Sequence, residues 1–185
     1  MTIKRHASLW PVILAGISLV MASGSTHADS VSKSFTVQAT LQRGCVLGGG
    51  SSDSTSFGNI DFGQVALLPS DVDVSSTVSG GTVVVRCTPG IGVTISLGTG
   101  LHATGSIVGG RFLKNTANAD TLRYQLYTSS ARSTVWGGGS AGGQAQSVTA
   151  TGANQELVVY ARLFAAPSMP TAGTYNDTVL VTVAY

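Results

Sequence analysis

Hydrophobic and polar residues alternate in two segments of this chain, one towards its N-terminus and one at its C-terminus. Between residues 31 and 41, and again between residues 179 and 185, the apolar side chains fall on odd positions. Because successive side chains of a strand point to opposite faces, each segment is predicted to be a β-strand with one apolar face. A strand that runs to the last residue, in a protein with only 10% charged residues, favours a sheet that another molecule completes. The apolar residues are Val31, Phe35, Val37, Ala39 and Leu41 at the front, and Val179, Val181, Val183 and Tyr185 at the back.

Between these ends, short β-prone runs are separated by clusters of Gly, Ser, Asn and Pro. Many short strands joined by glycine-rich turns predict an all-β antiparallel sandwich. The run at 157–164 is apolar on both faces, as expected of a central strand. The glycine-rich stretches 48–50 and 137–143 are predicted to be loops. Strands are predicted at residues 82–87, 92–97, 122–127, 157–164 and 178–185.

The first 28 residues have the pattern of a secretory signal peptide. Lys4 and Arg5 precede an apolar stretch at 9–21, and Thr-His-Ala at 26–28 is an acceptable cleavage site. The apolar stretch is shorter than a bilayer-spanning helix, so we expect export through the periplasm without a transmembrane anchor. The mature chain is predicted to begin at Asp29.

Removal of the signal changes the charge balance of the protein. Two of the ten basic residues lie in the signal, which leaves eight basic residues against eight acidic ones. A net charge near zero does not favour nucleic acid as a partner. The remaining length suits one domain with a sizeable core.

The chain has two cysteines, Cys45 and Cys87, both in the exported part. An even pair in an oxidising compartment predicts a disulfide. The alternative is a pair of metal ligands, which would need two more ligands. Only His102 remains to help after the signal is removed. We therefore predict a disulfide and no metal or cofactor.

Motifs that suggest catalysis are present but lack the required context. Residues 138–142 match G-x-S-x-G, yet a nucleophile elbow needs a strand before the serine and a helix after it. Asp71 and Asp73 share one face of an extended segment, where a solvated face is favoured over an acid–base pair or a cation site. His102 is predicted to lie at the surface or in a loop. These observations predict that the protein is not an enzyme.

Trp136 has two interpretations. It either packs in the core or at an edge, or it stacks against a sugar beside the glycine-rich loop that follows it. The second interpretation belongs to an alternative function, in which the chain is a self-contained secreted β-sandwich that binds carbohydrate.

Several short motifs, in order along the chain, resemble those of the spore coat U domain family. Together they cover essentially the whole mature chain. The motifs are Cys45, Ile-Asp-Phe-Gly at 60–63, Val-Arg-Cys at 85–87, Leu-Arg-Tyr-Gln-Leu-Tyr at 122–127, Val-Trp-Gly at 135–137, Val-Tyr-Ala-Arg at 159–162, and Ala-Gly-Thr-Tyr-Asn-Asp-Thr at 172–178.

That family includes the pilins of archaic (Csu-type) chaperone–usher pili, and the resemblance implies their mechanism. Such pilins look like immunoglobulin-type sandwiches that lack their last strand. A periplasmic chaperone lends a strand to the open groove, and an outer-membrane usher exchanges it for the N-terminal extension of the next identical or related subunit.

The resulting prediction is a structural subunit of surface fimbriae that support adhesion and biofilm formation. Residues 29–42 would be the donor strand, and residues 43–185 the sandwich domain. Val31, Phe35, Val37, Ala39 and Leu41 would fill the neighbour's groove, while Val179, Val181, Val183 and Tyr185 would border the groove and contact the chaperone. Lys33 departs from the apolar pattern, and an ordinary first strand of the same domain is the alternative for this segment. A cell- or spore-coat protein that needs no usher also remains open.

Overall fold

The computed structural model describes residues 29–103 and 105–185. The predicted signal peptide lies outside the described residues. The described residues fall into two units, with residues 29–39 in the first and residues 40–185 in the second.

In the first unit, residues 29–39 form no strand. The side chains of Val31, Phe35 and Val37 are 83% to 86% exposed, and Ala39 is exposed as well. Residues 40–44, at the start of the second unit, also form no strand, and Leu41 is 88% exposed. The strand predicted at 31–41 is therefore not formed in the isolated chain, because alternation produces a strand only where a neighbouring strand pairs with it.

The second unit consists of short β-strands, together with two 3₁₀ turns. In the described part of the chain the strands are β1 (Cys45–Leu47), β2 (Val72–Ser75), β3 (Val83–Cys87), β4 (Gly92–Leu97), β5 (Arg111–Asn115), β6 (Thr121–Tyr127), β7 (Gln146–Thr149), β8 (Gln155–Leu157), β9 (Tyr160–Leu163), β10 (Tyr175–Asn176) and β11 (Val181–Ala184).

All strand pairs are antiparallel, which confirms the predicted all-β class. One sheet has five strands in the order β10-β5-β6-β9-β2, and two sheets have three strands in the orders β1-β3-β8 and β11-β4-β7. Strand β3 lies between β1 and β8, and β4 lies between β11 and β7, so β1 and β11 are edge strands of their sheets.

Two predicted strands differ from the observed ones. The run at 157–164 divides into β8, which pairs with β3, and β9, which pairs with β6 and β2. The chain therefore passes from one sheet to another between β8 and β9. At this point the buried Val159 donates its N–H to the Ser76 hydroxyl (2.8 Å) instead of to a neighbouring strand. The run at 178–185 yields the shorter β11. The other three predicted strands are confirmed within one residue.

Side chains from all three sheets meet in one hydrophobic core. Odd positions of β3 and β4, such as Val85 and Ile95, are buried there. The predicted disulfide joins Cys45 of β1 to Cys87 of β3. A cross-link over 42 residues stabilises the folded chain by about 4 kcal/mol in the chain-entropy model. None of the helical turns in the described residues is long and apolar enough to cross a membrane.

Candidate functional site

Strand β11 lies at the edge of its sheet and carries Val181 and Val183, two of the four C-terminal residues singled out from the sequence, while Val179 and Tyr185 flank it. Within the described residues it pairs only with β4, in the register Val181↔Leu97 to Ala184↔Thr94. The Gly98 N–H continues this ladder by donating to the Leu180 carbonyl oxygen (2.8 Å).

The opposite edge of β11 presents unpaired backbone groups. In an antiparallel ladder, alternate residues direct their N–H and C=O groups to one neighbour and the residues between them to the other side. Because Leu180 and Gly98 are a hydrogen-bonded pair, the peptide groups of Val181 and Val183 point away from β4. We find no hydrogen bond to these outward groups from any residue in the described ranges.

The side chains beside this open edge are apolar and partly uncovered. Val179, Val181 and Val183 are half-buried and pack against the core. Tyr185 does not share this position, because its side chain is 61% exposed. Half-covered valines next to unpaired peptide groups form a template for another strand.

Two other edge strands, β1 and β7, are partly capped by nearby groups. On β1, the Leu47 N–H donates to the Asp53 carboxylate (2.8 Å) and the Leu47 carbonyl accepts from the Ser54 N–H (2.7 Å). On β7, the Thr149 carbonyl accepts from the Gln155 side-chain amide (3.1 Å). Since β11 has no such cap among the described residues, its edge is open to another strand, unlike the capped positions of β1 and β7.

The chain is fastened just before β11 by Asp177. Its carboxylate accepts one hydrogen bond from the Tyr124 hydroxyl (2.6 Å) and one from the Leu101 N–H (2.8 Å). Tyr124 lies on β6 and is only 4% exposed. Burial, followed by the hydrogen bond to Asp177, raises the pKa of the Tyr124 hydroxyl well above its usual value.

Arg111 is a fully buried cation that sequence analysis missed. Its guanidinium donates to the Gly98 carbonyl (2.8 and 3.0 Å), the Trp136 carbonyl (2.9 Å) and the Gln125 side chain (2.6 Å). Burial lowers the pKa of this guanidinium. A single arginine at the start of a strand gives no periodic signal, so only the structure reveals that it joins β4, β5, β6 and the segment before residue 137.

Trp136 belongs to the core. Its side chain is 0% exposed, and its indole N–H donates to the Ile95 carbonyl (3.1 Å). A ring enclosed on all sides offers no face to a sugar, so the carbohydrate-stacking interpretation is wrong and the packing interpretation is correct.

Asp71 and Asp73 form ion pairs rather than an isolated acid–base pair. Both Asp73 oxygens accept hydrogen bonds from Arg162 (2.7 and 2.8 Å), and Arg132 approaches the same carboxylate (3.2 Å). Asp71 accepts from the Ala165 N–H (2.9 Å). The hydrogen bond from Arg162 is the main cause of the lowered pKa of the Asp73 carboxyl.

The remaining catalytic candidates lack supporting geometry. The G-x-S-x-G match lies around a single 3₁₀ turn, Gly139–Ala141, instead of between a strand and a helix. His102 is half-buried in the loop after β4, as the sequence predicts for a loop residue.

The fold and site define an all-β protein in which the edge of β11 is open and an alternating N-terminal segment is exposed. A family model described as the Spore Coat Protein U domain matches residues 31–182, and the chain belongs to this family. The match begins within the predicted donor segment. Membership of this family places the chain among structural proteins rather than enzymes.

The proteins that are similar to this chain include a relative in sequence and a solved structure. "Protein U" of Myxococcus xanthus is 32% identical over 182 residues, which cover 94% of this chain and 98% of that protein. The chaperone–tip adhesion subunit pre-assembly complex CsuC–CsuE of Acinetobacter baumannii has a TM-score of 0.48 and 21% identity, and the match covers 79% of this chain and 41% of the other. The second likeness is too distant to carry a function.

Proposed function

We propose that this protein is a pilus subunit of the chaperone–usher type, polymerised by donor-strand exchange. The observation that carries the proposal is the combination, in one chain, of an uncapped edge strand and an exposed segment whose apolar residues alternate. The first lacks a neighbour on one side, and the second is a strand pattern without a sheet. The matched family supports the same assignment.

The segment 31–41 has the dimensions and chemistry of a strand to be donated. Fully extended, it spans about 36 Å, which is longer than β11 itself. Each of its large apolar side chains contributes about 1.5–3 kcal/mol when it is fully buried. Backbone pairing with the outward groups of Val181 and Val183 supplies further affinity, and alternating side chains supply register.

In this arrangement the segment of one copy lies beside β11 of the next. Phe35, Val37, Ala39 and Leu41 enter the neighbour's groove. If Lys33 faces the groove, it lies at the mouth or is paired, and Val31 lies beyond it. The donor segment comprises residues 29–42, and the receiving domain residues 43–185. A contact between two different surfaces of the same subunit does not close, so it produces a fibre.

Partners follow from the exposed edge. A subunit with unpaired backbone beside half-covered valines is prone to aggregate before assembly. A periplasmic chaperone would cover Val179, Val181 and Val183, and an outer-membrane usher would direct the exchange. Fimbriae built this way would support adhesion and biofilm formation at the cell surface.

The test is an unboiled SDS gel of the exported protein, run beside a boiled sample and a variant that lacks residues 31–41. We expect a ladder of multimers that collapses on boiling and disappears on deletion, while the variant still binds the chaperone. A single folded monomer in every lane, made without a chaperone, would overturn the proposal. Loss of chaperone binding in the variant would overturn the separation of donor and receiver roles.

A coat protein that needs no usher is the second candidate, because the family description and the 32% identity to Protein U both favour it. It predicts that neighbouring genes encode neither a chaperone nor an usher, and that the exported protein assembles in their absence.

A further inference from the structure

The loop that follows β4 holds the chain at the entry to β11. This loop, from Gly98 to Leu101, makes two separate contacts with the segment 177–180. The Leu101 N–H donates to the Asp177 carboxylate (2.8 Å), and the Gly98 N–H donates to the Leu180 carbonyl (2.8 Å). We call these contacts, together with the Tyr124–Asp177 hydrogen bond, the β11 clamp.

The clamp joins β11 to the five-stranded sheet as well as to its own sheet. Tyr124 lies on β6, and its hydroxyl donates to Asp177 (2.6 Å). Just upstream, β10 pairs with β5 of the same sheet, and the Tyr124–Asp177 bond adds a side-chain contact one residue nearer to β11. A hydrogen bond to a carboxylate in a partly buried position is among the stronger hydrogen bonds of a protein.

Gly100 shows that the clamp requires close approach. Its φ is +85°, a conformation that favours glycine, and a Cβ at this position would collide with the Asp177 carboxylate. A glycine here therefore serves both the turn and the contact with Asp177.

The buried Arg111 side chain holds the first residue of this loop, Gly98. Two of its nitrogens donate to the Gly98 carbonyl oxygen (2.8 and 3.0 Å). Because the Gly98 N–H donates to the Leu180 carbonyl, both backbone polar groups of Gly98 have hydrogen-bond partners. The position of Leu180, and with it the register of β11, is thus tied to a buried side chain of β5.

This anchoring matters because β11 is short and has one neighbour. Four residues paired on one side bury little surface, and such pairs are marginal by themselves. Before a second strand arrives, the position of β11 therefore depends on contacts outside the ladder. The downstream end has no comparable anchor in the described residues, since Tyr185 is 61% exposed.

We propose that Asp177 and Tyr124 are positioning residues, which keep β11 in register so that the free subunit accepts a donor strand. This inference rests on the proposed function, because it assigns the clamp a part in strand exchange. The residues touch no incoming strand themselves. They act through β11, whose outward groups at Val181 and Val183 form the new ladder.

The test compares Tyr124→Phe and Gly100→Ala in the full exported chain. We expect amide hydrogen exchange in residues 178–185 to become about tenfold faster, the loss that corresponds to one hydrogen bond to a charged group. Exchange in β9 should stay unchanged. Multimer formation on unboiled gels should slow by up to the same factor, because only the docked form of β11 is competent.

Each variant has a matched control. Tyr175→Phe also removes a tyrosine hydroxyl donor, in this case an exposed one that donates to the Thr171 carbonyl. Gly63→Ala imposes the same strain, since its φ is +78°, but a Cβ there meets nothing within 4 Å. Both controls should leave the exchange of residues 178–185 and the multimer ladder unchanged.

Three outcomes would overturn the inference. The first is unchanged exchange in residues 178–185, and the second is an equal rise in β9, which would mean that Tyr124 only stabilises the domain. The third is failure of Tyr124→Phe to fold, for the same reason. A wild-type chain that forms no ladder would instead overturn the proposed function, and the exchange data would still report whether the clamp holds β11.

Discussion

Arg111 shows how a single residue organises the interior of this domain. Its charge is surrounded by carbonyl and amide oxygens of Gly98, Trp136 and Gln125, and no described carboxylate lies within salt-bridge distance. A buried charge is tolerated only when its donors are satisfied. The planar guanidinium satisfies several acceptors at once, which an ammonium group does not.

We therefore expect Arg111→Lys to lower the free energy of unfolding by about 3 kcal/mol, because acceptors that Arg111 now satisfies lose their donors. Urea unfolding measures this loss. Arg123→Lys is the control, since Arg123 is an exposed residue that contacts the Phe164 ring (4.0 Å), and it should cost less than about 1 kcal/mol. Equal effects of the two substitutions would contradict the role of Arg111.

Asp73 predicts a dependence of stability on pH. Its folded pKa is lowered from 3.8, mainly by the hydrogen bond from Arg162. A lowered folded pKa contributes stability above the unfolded value, and this contribution is lost as the pH falls through the folded pKa. Because the carboxylate is 37% exposed, solvent screening limits the contribution to about 1 kcal/mol or less.

Asp73→Asn should accordingly destabilise the protein at pH 7, and the difference should shrink as the pH falls below 3.8 and through the folded pKa, where the parent carboxyl takes up its proton. Urea unfolding over a series of pH values from 7 downwards checks this expectation. A destabilisation that keeps the same size over the whole series would show that the loss comes from packing rather than from charge.

At the scale of elements, β11 has two kinds of peptide group. The N–H of Val183 points to the open edge, whereas the N–H of Thr182 points to β4. Proline removes a backbone donor, so its effect depends on which side the lost N–H served.

Val183→Pro should leave β11 paired with β4 and prevent multimers, because the donor that an incoming strand needs is gone. Thr182→Pro should release β11 from β4 and speed amide exchange across residues 181–184. The two variants are compared by amide exchange and by unboiled gels. Multimers of normal yield from Val183→Pro would contradict the assignment of the open edge.

How much of these elements the sequence predicts depends on alternation. Three interior strands were placed within one residue because odd positions such as Val85 and Ile95 are apolar, and burial of that face is what folds them. The change of sheet near Val159 was not predicted, because a run that is apolar on both faces does not show which sheet each half joins. The sequence also does not predict the contacts between Arg111 and Gly98 or between Asp177 and Leu101, since they bring together residues far apart in the chain.

At the scale of the whole molecule, one chain supplies both a strand pattern without a sheet and a sheet edge without a strand. If exchange joins them, the side chains that matter in the donor alternate with period two. Val37 has an inward, apolar position in this pattern, and Thr36 an outward, polar one.

Val37→Lys should therefore abolish the unboiled multimer ladder, because burial of an unpaired charge is unfavourable. Thr36→Lys, next to it, should leave the ladder intact. Chaperone binding by both variants is the control for export and folding. Loss of the ladder in both variants, or in neither, would mean that the segment does not enter a groove in this register.

The disulfide has a mechanical consequence in such a fibre. Tension on one subunit would enter through its N-terminal segment and reach the domain at Cys45, the first residue of β1, which is bonded covalently to Cys87 of β3. The load would then bypass the three-residue ladder between β1 and β3 and pass directly into β3, the middle strand of its sheet. Under a pulling force, reduced subunits should lose β1 at low force and lengthen, whereas oxidised subunits should extend only when the core itself gives way.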